Sequence, residues 1–227
     1  MHQQIIHLFR HAEAVHNSQN DIALRDPQLT ENGKAQAEQI MATYQFLNRP
    51  TLILVSPLQR AIQTALYAFH PSFNKQGKEV SRLEQIPRIV ALPQLQEVTE
   101  NPCDTGTCLE FLKRTYGSYV EFSDEFFGSD TWFTKQGTLF ANENTLLSNR
   151  AKFVRDYIKQ HGPEEVIVMT HGDFSHFLVN RWLYGQGCGS LFNGLNHAAG
   201  SPMTLKAKDS IESDYEMTVE IPLWFER

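Results

Sequence analysis

Cysteine is scarce in this chain of 227 residues, which contains only Cys103, Cys108 and Cys188. An odd number without the spacing of a zinc site favours a reduced, intracellular setting, so we expect a cytoplasmic protein. A Cys103–Cys108 disulfide is the alternative that the spacing leaves open. Long apolar runs are also missing, since no stretch approaches the ~20 residues that cross a bilayer. The first residues lack the charged and apolar regions of a secretory signal, and we expect no membrane partner.

Basic runs are absent as well. The chain has 20 Lys and Arg against 26 Asp and Glu, and its formal net charge of -6 argues against a nucleic-acid partner. An anionic small molecule remains a suitable ligand, because a few arginines can dominate the field in one pocket. The hydrophobic content of 41% is typical of a globular protein, and the length suits a single domain over 1–227 with a sizeable insertion. The oligomeric state is not indicated.

Short apolar runs alternate with segments of helical spacing. The runs predict strands at 5–9, 51–55, 86–91, 165–170, 203–207 and 217–221. The spacing predicts helices at about 30–47, 57–70, 142–161 and 174–183. Thr30 is expected to be the N-cap of the first helix, and Ser56 and Pro57 the N-cap and first residue of the second. This alternation predicts an α/β fold whose mostly parallel sheet is covered by helices on both faces.

The segment from about 98 to 142 departs from this alternation and is rich in aromatic residues. We interpret it as an insertion with short helices that could cover a site. The alternative is a peripheral helical subdomain whose aromatic side chains are simply core.

Polar groups follow three of the predicted strands directly. These groups are Arg10-His11, Ser56-Pro57 with Arg60 one turn later, and Thr170-His171-Gly172. Because the carboxyl ends of parallel strands lie along one edge of a sheet, we expect these side chains to converge there.

Two arginines and two histidines suit phosphoryl transfer. Guanidinium forks match phosphate oxygens, and a neutral histidine can attack phosphorus while a second histidine donates a hydrogen bond to the phosphoryl oxygens. A carboxylic acid, for which Glu97 is the candidate, can protonate the leaving oxygen and then deprotonate the attacking water.

Four motifs in order carry a family resemblance. R-H-A-E at 10–13 with Asn17 resembles the R-H-G-E-x-x-x-N opening of the histidine phosphatase superfamily, also called phosphoglycerate mutase-like. Residues 29–37 resemble L-T-x-x-G-x-x-Q-A, residues 56–64 resemble S-P-x-x-R-A-x-Q-T, and residues 170–172 resemble the late T-H-G. The chain departs from the family at Ala12, where the usual residue is glycine, and we expect a working but slightly reshaped pocket.

The resemblance implies a three-layer α/β/α sandwich and a role for each matched residue. His11 resembles the nucleophile that becomes phosphohistidine, and Glu97, in an L-x-E sequence, resembles the proton donor. The residues that resemble the phosphate pocket are Arg10, Arg60 and His171, with Asn17 as an auxiliary donor. No metal or other cofactor is implied.

Several other polar residues compete for roles. Glu13, Glu100 and Asp104 are rival acids, and Asp104 and Thr105 are candidate substrate-side residues. His7 and His16 are expected to be structural.

The resemblance leads us to expect a phosphatase that acts on a small organic phosphate ester. One alternative is a phosphoglycerate-type mutase, for which the insertion offers only Lys113, Arg114 and Lys135 as cations. Another is a catalytically weak relative that binds phosphate esters, suggested by Ala12. A zinc site is disfavoured, because the adjacent arginines repel a dication.

Overall fold

A computed structural model describes residues 5–43, 51–74, 85–163 and 165–179, together with the backbone of 203–206 and 218–220. Its strands are β1 Ile5–Arg10, β2 Leu52–Val55, β3 Arg88–Ala91, β4 Glu165–Thr170, β5 Met203–Lys206 and β6 Thr218–Glu220. Its α-helices are α1 Val15–Gln19, α2 Glu31–Glu38, α3 Ile40–Thr43, α4 Gln59–Phe69, α5 Leu109–Tyr116, α6 Asp124–Phe127, α7 Asn144–His161 and α8 Gly172–Leu178. Short 3₁₀ turns lie at Pro93–Leu95 and Pro102–Asp104.

The six strands form one sheet in the order β3-β2-β4-β1-β5-β6. β1 to β4 are parallel, whereas β5 pairs antiparallel with β1 and β6 antiparallel with β5. The predicted mostly parallel sheet is therefore confirmed, and each predicted strand has a counterpart.

Side chains alternate between the two faces of the central strands. Ile167 and Met169 of β4 pack in a core that includes α4, while Val166 and Val168 pack in a second core that includes α7 and α8. Strands buried on both faces read as continuous apolar runs, which explains why they were visible in the sequence. The α/β/α layering is confirmed.

Several helix boundaries differ from the prediction. α7 begins at Asn144 and not at 142, and α8 begins at Gly172 and not at 174. α4 begins at Gln59, with Leu58 in the N-cap position, and not at Pro57. Ser56 lies before the helix and is not its N-cap. Its hydroxyl accepts a hydrogen bond from Leu58 N at 3.4 Å and lies 2.7 Å from a histidine nitrogen. The first predicted helix is interrupted near Gln39 and continues as α3.

Other predicted boundaries are matched more closely. The Thr30 hydroxyl accepts a hydrogen bond from Gly33 N at 2.9 Å, so the predicted N-cap is confirmed. The ends of the predicted helices at 44–47 and 180–183, and Cys188, lie outside the described residues. Cys103 and Cys108 are both free thiols, so the alternative disulfide is wrong.

The segment between β3 and α7 contains α5, α6 and the two 3₁₀ turns. Leu112, Tyr116 and Trp132 from this segment are buried in the same core as α4. Several of its aromatic side chains are therefore core residues. Among the helices that the structure describes, none has the length and hydropathy needed to span a bilayer.

Candidate active site

Three strands end level with one another at the carboxyl edge of the sheet. Arg10 pairs with Thr170 and Val55 with Met169, which places β4 between β1 and β2. The next residues continue the ladder, because His11 N donates to Thr170 O at 2.9 Å and Ser56 N donates to Met169 O at 2.9 Å. The convergence that the strand ends predicted is therefore present in the structure.

His11 is the buried centre of this edge, with 2% of its surface exposed. Its Nδ1 lies 2.7 Å from Ala12 O, a contact in which only an N–H can donate. The imidazole therefore carries its proton on Nδ1, and the lone pair of Nε2 points away from the backbone. Arg60 Nε donates to this Nε2 at 3.1 Å.

Arg60 is the best-anchored cation of the site. Its Nη1 donates to Cys103 O at 2.6 Å, and its Nη2 donates to the Asp104 carboxylate at 2.7 Å. The side chain is 1% exposed. The guanidinium is thus held in one orientation, with its Nε edge directed at His11.

His171 follows β4 and lies beside His11, with 5.1 Å between the ring centroids. Its Nε2 is 2.7 Å from the Ser56 hydroxyl, and its buried Nδ1 has no hydrogen-bond partner among the described residues. A serine hydroxyl can donate or accept, so it satisfies either tautomer of the ring.

Burial lowers the pKa of His11 and of His171 well below the usual 6.5. The positive charges of Arg60 and Arg10 lower both values further. Both rings are therefore neutral at neutral pH, as a nitrogen nucleophile requires.

Arg10 and Asn17 are placed less directly. Arg10 packs over Gly172, and its buried Nε has no hydrogen-bond partner among the described residues. Asn17 uses its side-chain oxygen to accept a hydrogen bond from Ala14 N at 3.0 Å, and its Nδ2 lies 3.0 Å from His16 Nε2. In this structure Asn17 therefore stabilises the first turn of α1.

Glu97 lies across the edge from the histidines, at the N-terminus of α8. Its Oε1 accepts hydrogen bonds from Val98 N at 2.9 Å and Phe174 N at 3.0 Å. Its Oε2 accepts one from Asp173 N at 3.3 Å. Burial raises the pKa of Glu97 to about 7, and the carboxylates of Asp104 and Asp173 act in the same direction. A carboxyl group with such a pKa can exchange a proton near neutral pH.

Asp104 and Thr105 were candidate substrate-side residues. The Asp104 carboxylate binds Arg60 through one oxygen and the Thr99 hydroxyl through the other. The Thr105 hydroxyl donates to Asn101 O at 3.1 Å. Both side chains are thus engaged within the protein.

The other residues considered are also accounted for. Glu13 accepts a hydrogen bond from the Thr30 hydroxyl at 2.6 Å, and Glu100 is exposed. His7 pairs with Glu165 at the opposite end of the sheet, at 2.9 Å. The His16 ring, however, lies with its centroid 6.0 Å from that of His11.

Ala12 adopts an ordinary negative φ, so this position does not need the conformational freedom of glycine. Its methyl group packs with Ala14, Leu29 and Ala37. Its N–H donates to the Thr64 hydroxyl at 2.9 Å. The extra methyl therefore fills a small apolar cluster, and the backbone after His11 is held by Thr64.

Several supporting residues were missed although they stand in the matched motifs. Gln36 accepts a hydrogen bond from Glu13 N at 3.0 Å, and Gln63 accepts one from Leu29 N at 2.8 Å. With Thr64, they tie α2 and α4 to the loop after His11. Their fixed places in the Q-A and Q-T motif positions were the signal that could have identified them.

Two further cations are buried here: Lys135, which the sequence analysis weighed only for the mutase alternative, and Arg150, which had no local signal. Lys135 donates to Asp104 O at 2.7 Å, and burial lowers its pKa to about 8. Arg150, on α7, is 4% exposed and donates to backbone carbonyls beside Glu97. Both come from segments far from the motifs in sequence.

Comparison with known proteins agrees with this geometry. The family model described as histidine phosphatase superfamily (branch 1) matches residues 6–85. A phosphoglycerate mutase-like protein of Arabidopsis thaliana is 24% identical over 212 residues, which are 81% of this chain and 75% of that protein. The fold resembles that of Bacillus stearothermophilus YhfR, with a TM-score of 0.61, 16% identity and 96% of each chain covered. The resemblance to this superfamily, which the motifs indicated, is therefore confirmed.

A second curated relative comes from Schizosaccharomyces pombe and is named "Probable phosphatase". It is 24% identical over 170 residues, which are 74% of this chain and 73% of that protein.

Proposed function

We propose that this chain is a phosphomonoesterase of the histidine phosphatase type, which hydrolyses a small organic phosphate ester through a phosphohistidine on His11. The observation that carries the proposal is the state of the His11 ring. Its Nδ1 proton is held by Ala12 O at 2.7 Å, and its Nε2 faces Arg60 Nε at 3.1 Å. A neutral, oriented nitrogen thus lies directly beside a permanent positive charge.

In the first step, a phosphoryl oxygen replaces His11 Nε2 as the acceptor of the Arg60 Nε proton. The nitrogen lone pair attacks phosphorus as the ester P–O bond breaks. Arg10 and Arg60 offset the negative charge of the phosphoryl oxygens, and the neutral His171 donates a hydrogen bond to one of them. Glu97 in its acid form gives its proton to the leaving oxygen, and the alcohol departs.

In the second step, Glu97 is a carboxylate and accepts a proton from water. The water oxygen bonds to phosphorus as the P–N bond breaks, which releases phosphate and restores His11. The pKa of Glu97, raised to about 7 by burial, suits a group that works as acid in one step and as base in the next.

The placement of the three cations of the insertion favours hydrolysis over mutase activity. Lys113 pairs with Asp124 on the surface, and Arg114 lies over the Phe111 ring. Lys135 is the one of the three that is buried. A mutase must hold a charged product until the phosphoryl group is returned to it. A single buried lysine offers little positive charge for binding such a product. Phosphoglycerate isomerisation faster than hydrolysis would overturn this choice.

The proposal is tested with a panel of phosphate monoesters and a ³²P-labelled ester that wild type accepts. We expect label on the wild-type protein after alkaline denaturation and none on His11→Ala, whose turnover is lost. His16→Ala is the matched control, because its ring lies near His11 without carrying the proposed chemistry.

Unchanged turnover in His11→Ala would refute the nucleophile assignment. If wild type binds inorganic phosphate but turns over no ester of the panel, the chain is instead a phosphate-binding relative.

A further inference from the structure

Arg150, on α7, donates hydrogen bonds to the backbone of the segment that directly precedes Glu97. Its Nε and Nη2 donate to Gln94 O at 3.2 and 3.1 Å, and Nη2 also donates to Gln96 O. Gln96 directly precedes the proposed proton donor, so the Arg150 guanidinium fixes the peptide group next to Glu97.

The carbonyl of Leu95, between those of Gln94 and Gln96, is bound by a different side chain. Leu95 O accepts a hydrogen bond from the Thr170 hydroxyl, at the end of β4, at 2.8 Å. All three carbonyls before Glu97 are thus bound by side chains from α7 or β4. Such a segment has little freedom to move its next side chain.

Arg150 also contacts the group that Glu97 binds. Its Cζ lies 4.3 Å from the centroid of the Phe174 ring, at a distance typical of a cation–π contact. Phe174 N donates to Glu97 Oε1 at 3.0 Å. The guanidinium therefore contacts Phe174, which donates this hydrogen bond, and the carbonyl of Gln96, which precedes the acceptor Glu97.

Burying the positive charge of Arg150 costs free energy. Arg150 is 4% exposed, and its Nη1 has no hydrogen-bond partner among the described residues. Burial lowers its pKa to about 9, and the Glu97 carboxylate opposes that shift. A buried charge without full pairing is poor evidence of a stabilising role, since an apolar side chain could fill the same space.

We propose that Arg150 is a positioning residue for Glu97, fixing the carboxyl group so that its proton reaches the leaving-group oxygen. The inference rests on the proposed function. It concerns one part of the first step, the transfer of the Glu97 proton as the P–O bond breaks. The attack by His11 does not depend on it.

The test compares two esters in each variant, p-nitrophenyl phosphate and an alkyl phosphate that wild type hydrolyses. An aryl oxide leaves readily as an anion, whereas an alkoxide needs a proton. Misplacing the acid therefore lowers kcat/KM for the alkyl ester and spares the aryl ester. The ratio of the two values does not depend on how much of the protein is folded.

We expect Glu97→Gln to lower the alkyl-to-aryl ratio by about 10²-fold or more, within the range of general-acid catalysis. Arg150→Met should lower the ratio by about tenfold, since the acid remains but is misplaced. Arg150→Lys keeps the charge without the fork and should fall between Arg150→Met and wild type. It also decides the test if Arg150→Met does not fold.

Arg155→Met is the matched control. Arg155 lies on the same helix, is 3% exposed, and donates to Phe177 O at 3.2 Å and Leu178 O at 3.4 Å. Its loss should lower stability without changing the ratio.

A wild-type ratio in both Arg150 variants would overturn the inference while leaving the proposed function intact. If Arg155→Met lowers the ratio as much as Arg150→Met, the effect is general loosening, and the inference is likewise overturned. Failure of the proposed function is recognised separately, because His11→Ala would then keep both activities; that result would overturn the inference as well.

Discussion

Asp104 and Arg60 form a buried ion pair at the centre of the site, with 2.7 Å between Asp104 Oδ1 and Arg60 Nη2. The side chains are 8% and 1% exposed. Asp104 comes from the segment after β3, and Arg60 from the first turn of α4. The pair therefore ties the inserted segment to Arg60 and directs the Nε of this arginine at His11.

The first prediction concerns this pair. Asp104→Asn leaves Arg60 as an uncompensated buried charge, and we expect the free energy of unfolding to fall by on the order of 3 kcal/mol. Inorganic phosphate should then raise the Tm of the variant more than that of wild type, because the anion replaces the missing charge. Thermal denaturation with and without phosphate measures both effects.

Asp173→Asn is the control for that experiment. Asp173 is exposed and lies next to the same site, at the N-terminus of α8, but it does not pair with Arg60. Equal phosphate shifts in Asp104→Asn and wild type would contradict the prediction.

The second prediction is a pH dependence of activity. The pKa of Glu97 is raised to about 7, chiefly by burial, and in the proposed mechanism this carboxyl group must be protonated. For an alkyl ester, kcat/KM should therefore fall about tenfold per pH unit above the pKa of Glu97. No loss is expected between pH 7 and 6.5, since the pKa of His11 lies well below 6.5. A steady-state pH profile measures this, and an alkaline limb that persists in Glu97→Gln would assign it to another group.

The third prediction is a pH dependence of stability from the same carboxyl group. The folded protein holds the Glu97 proton up to about pH 7, whereas the unfolded chain releases it near the ordinary value of 4.5. A raised acid pKa stabilises the folded state at low pH, and that contribution is lost as pH rises from 4.5 to about 7. The stability of wild type relative to Glu97→Gln should fall by about 2–3 kcal/mol across this window.

Urea unfolding of both proteins at several pH values measures that difference. A difference that stays constant with pH, or that grows as pH rises, would contradict the raised pKa.

The fourth prediction concerns Ala12. Because this residue has an ordinary φ and its methyl group packs with Ala14, Leu29 and Ala37, Ala12→Gly should remove packing and gain nothing. We expect a loss of about 1 kcal/mol in the free energy of unfolding. Catalytic efficiency should not rise. A clear increase in kcat/KM in Ala12→Gly would show that the methyl group obstructs the pocket.

The fifth prediction concerns Gly33. A Cβ at this position would lie 2.0 Å from Glu13 O, which is a backbone atom and cannot rotate away. Gly33→Ala must therefore displace α2 from the loop after His11, and overpacking of this kind costs about 1–3 kcal/mol. Denaturant unfolding and ester hydrolysis should both show the loss. Asn32→Ala, at an exposed position on the same helix, is the control and should change neither.

The strands and the residues that meet at their carboxyl ends were predictable because their signals are local. Each central strand is a short apolar run, and Arg10, His11 and His171 stand directly after such runs. Parallel strands end level with one another, so residues that follow them must meet. The helix start at Ser56 was wrong for a related reason: the pattern resembles a cap, but the hydroxyl is engaged by His171, 115 residues away.

What the sequence by itself determined is therefore the sheet and the identity of the two histidines and two arginines at its edge. Only the tertiary structure decided what surrounds them. Asp104 pairs with Arg60, which lies 44 residues away in the chain. Arg150 donates to Gln96 O, just before Glu97 and 54 residues away. No local periodicity encodes such contacts, because they arise when helices and an inserted segment pack against an edge that the strands have already formed.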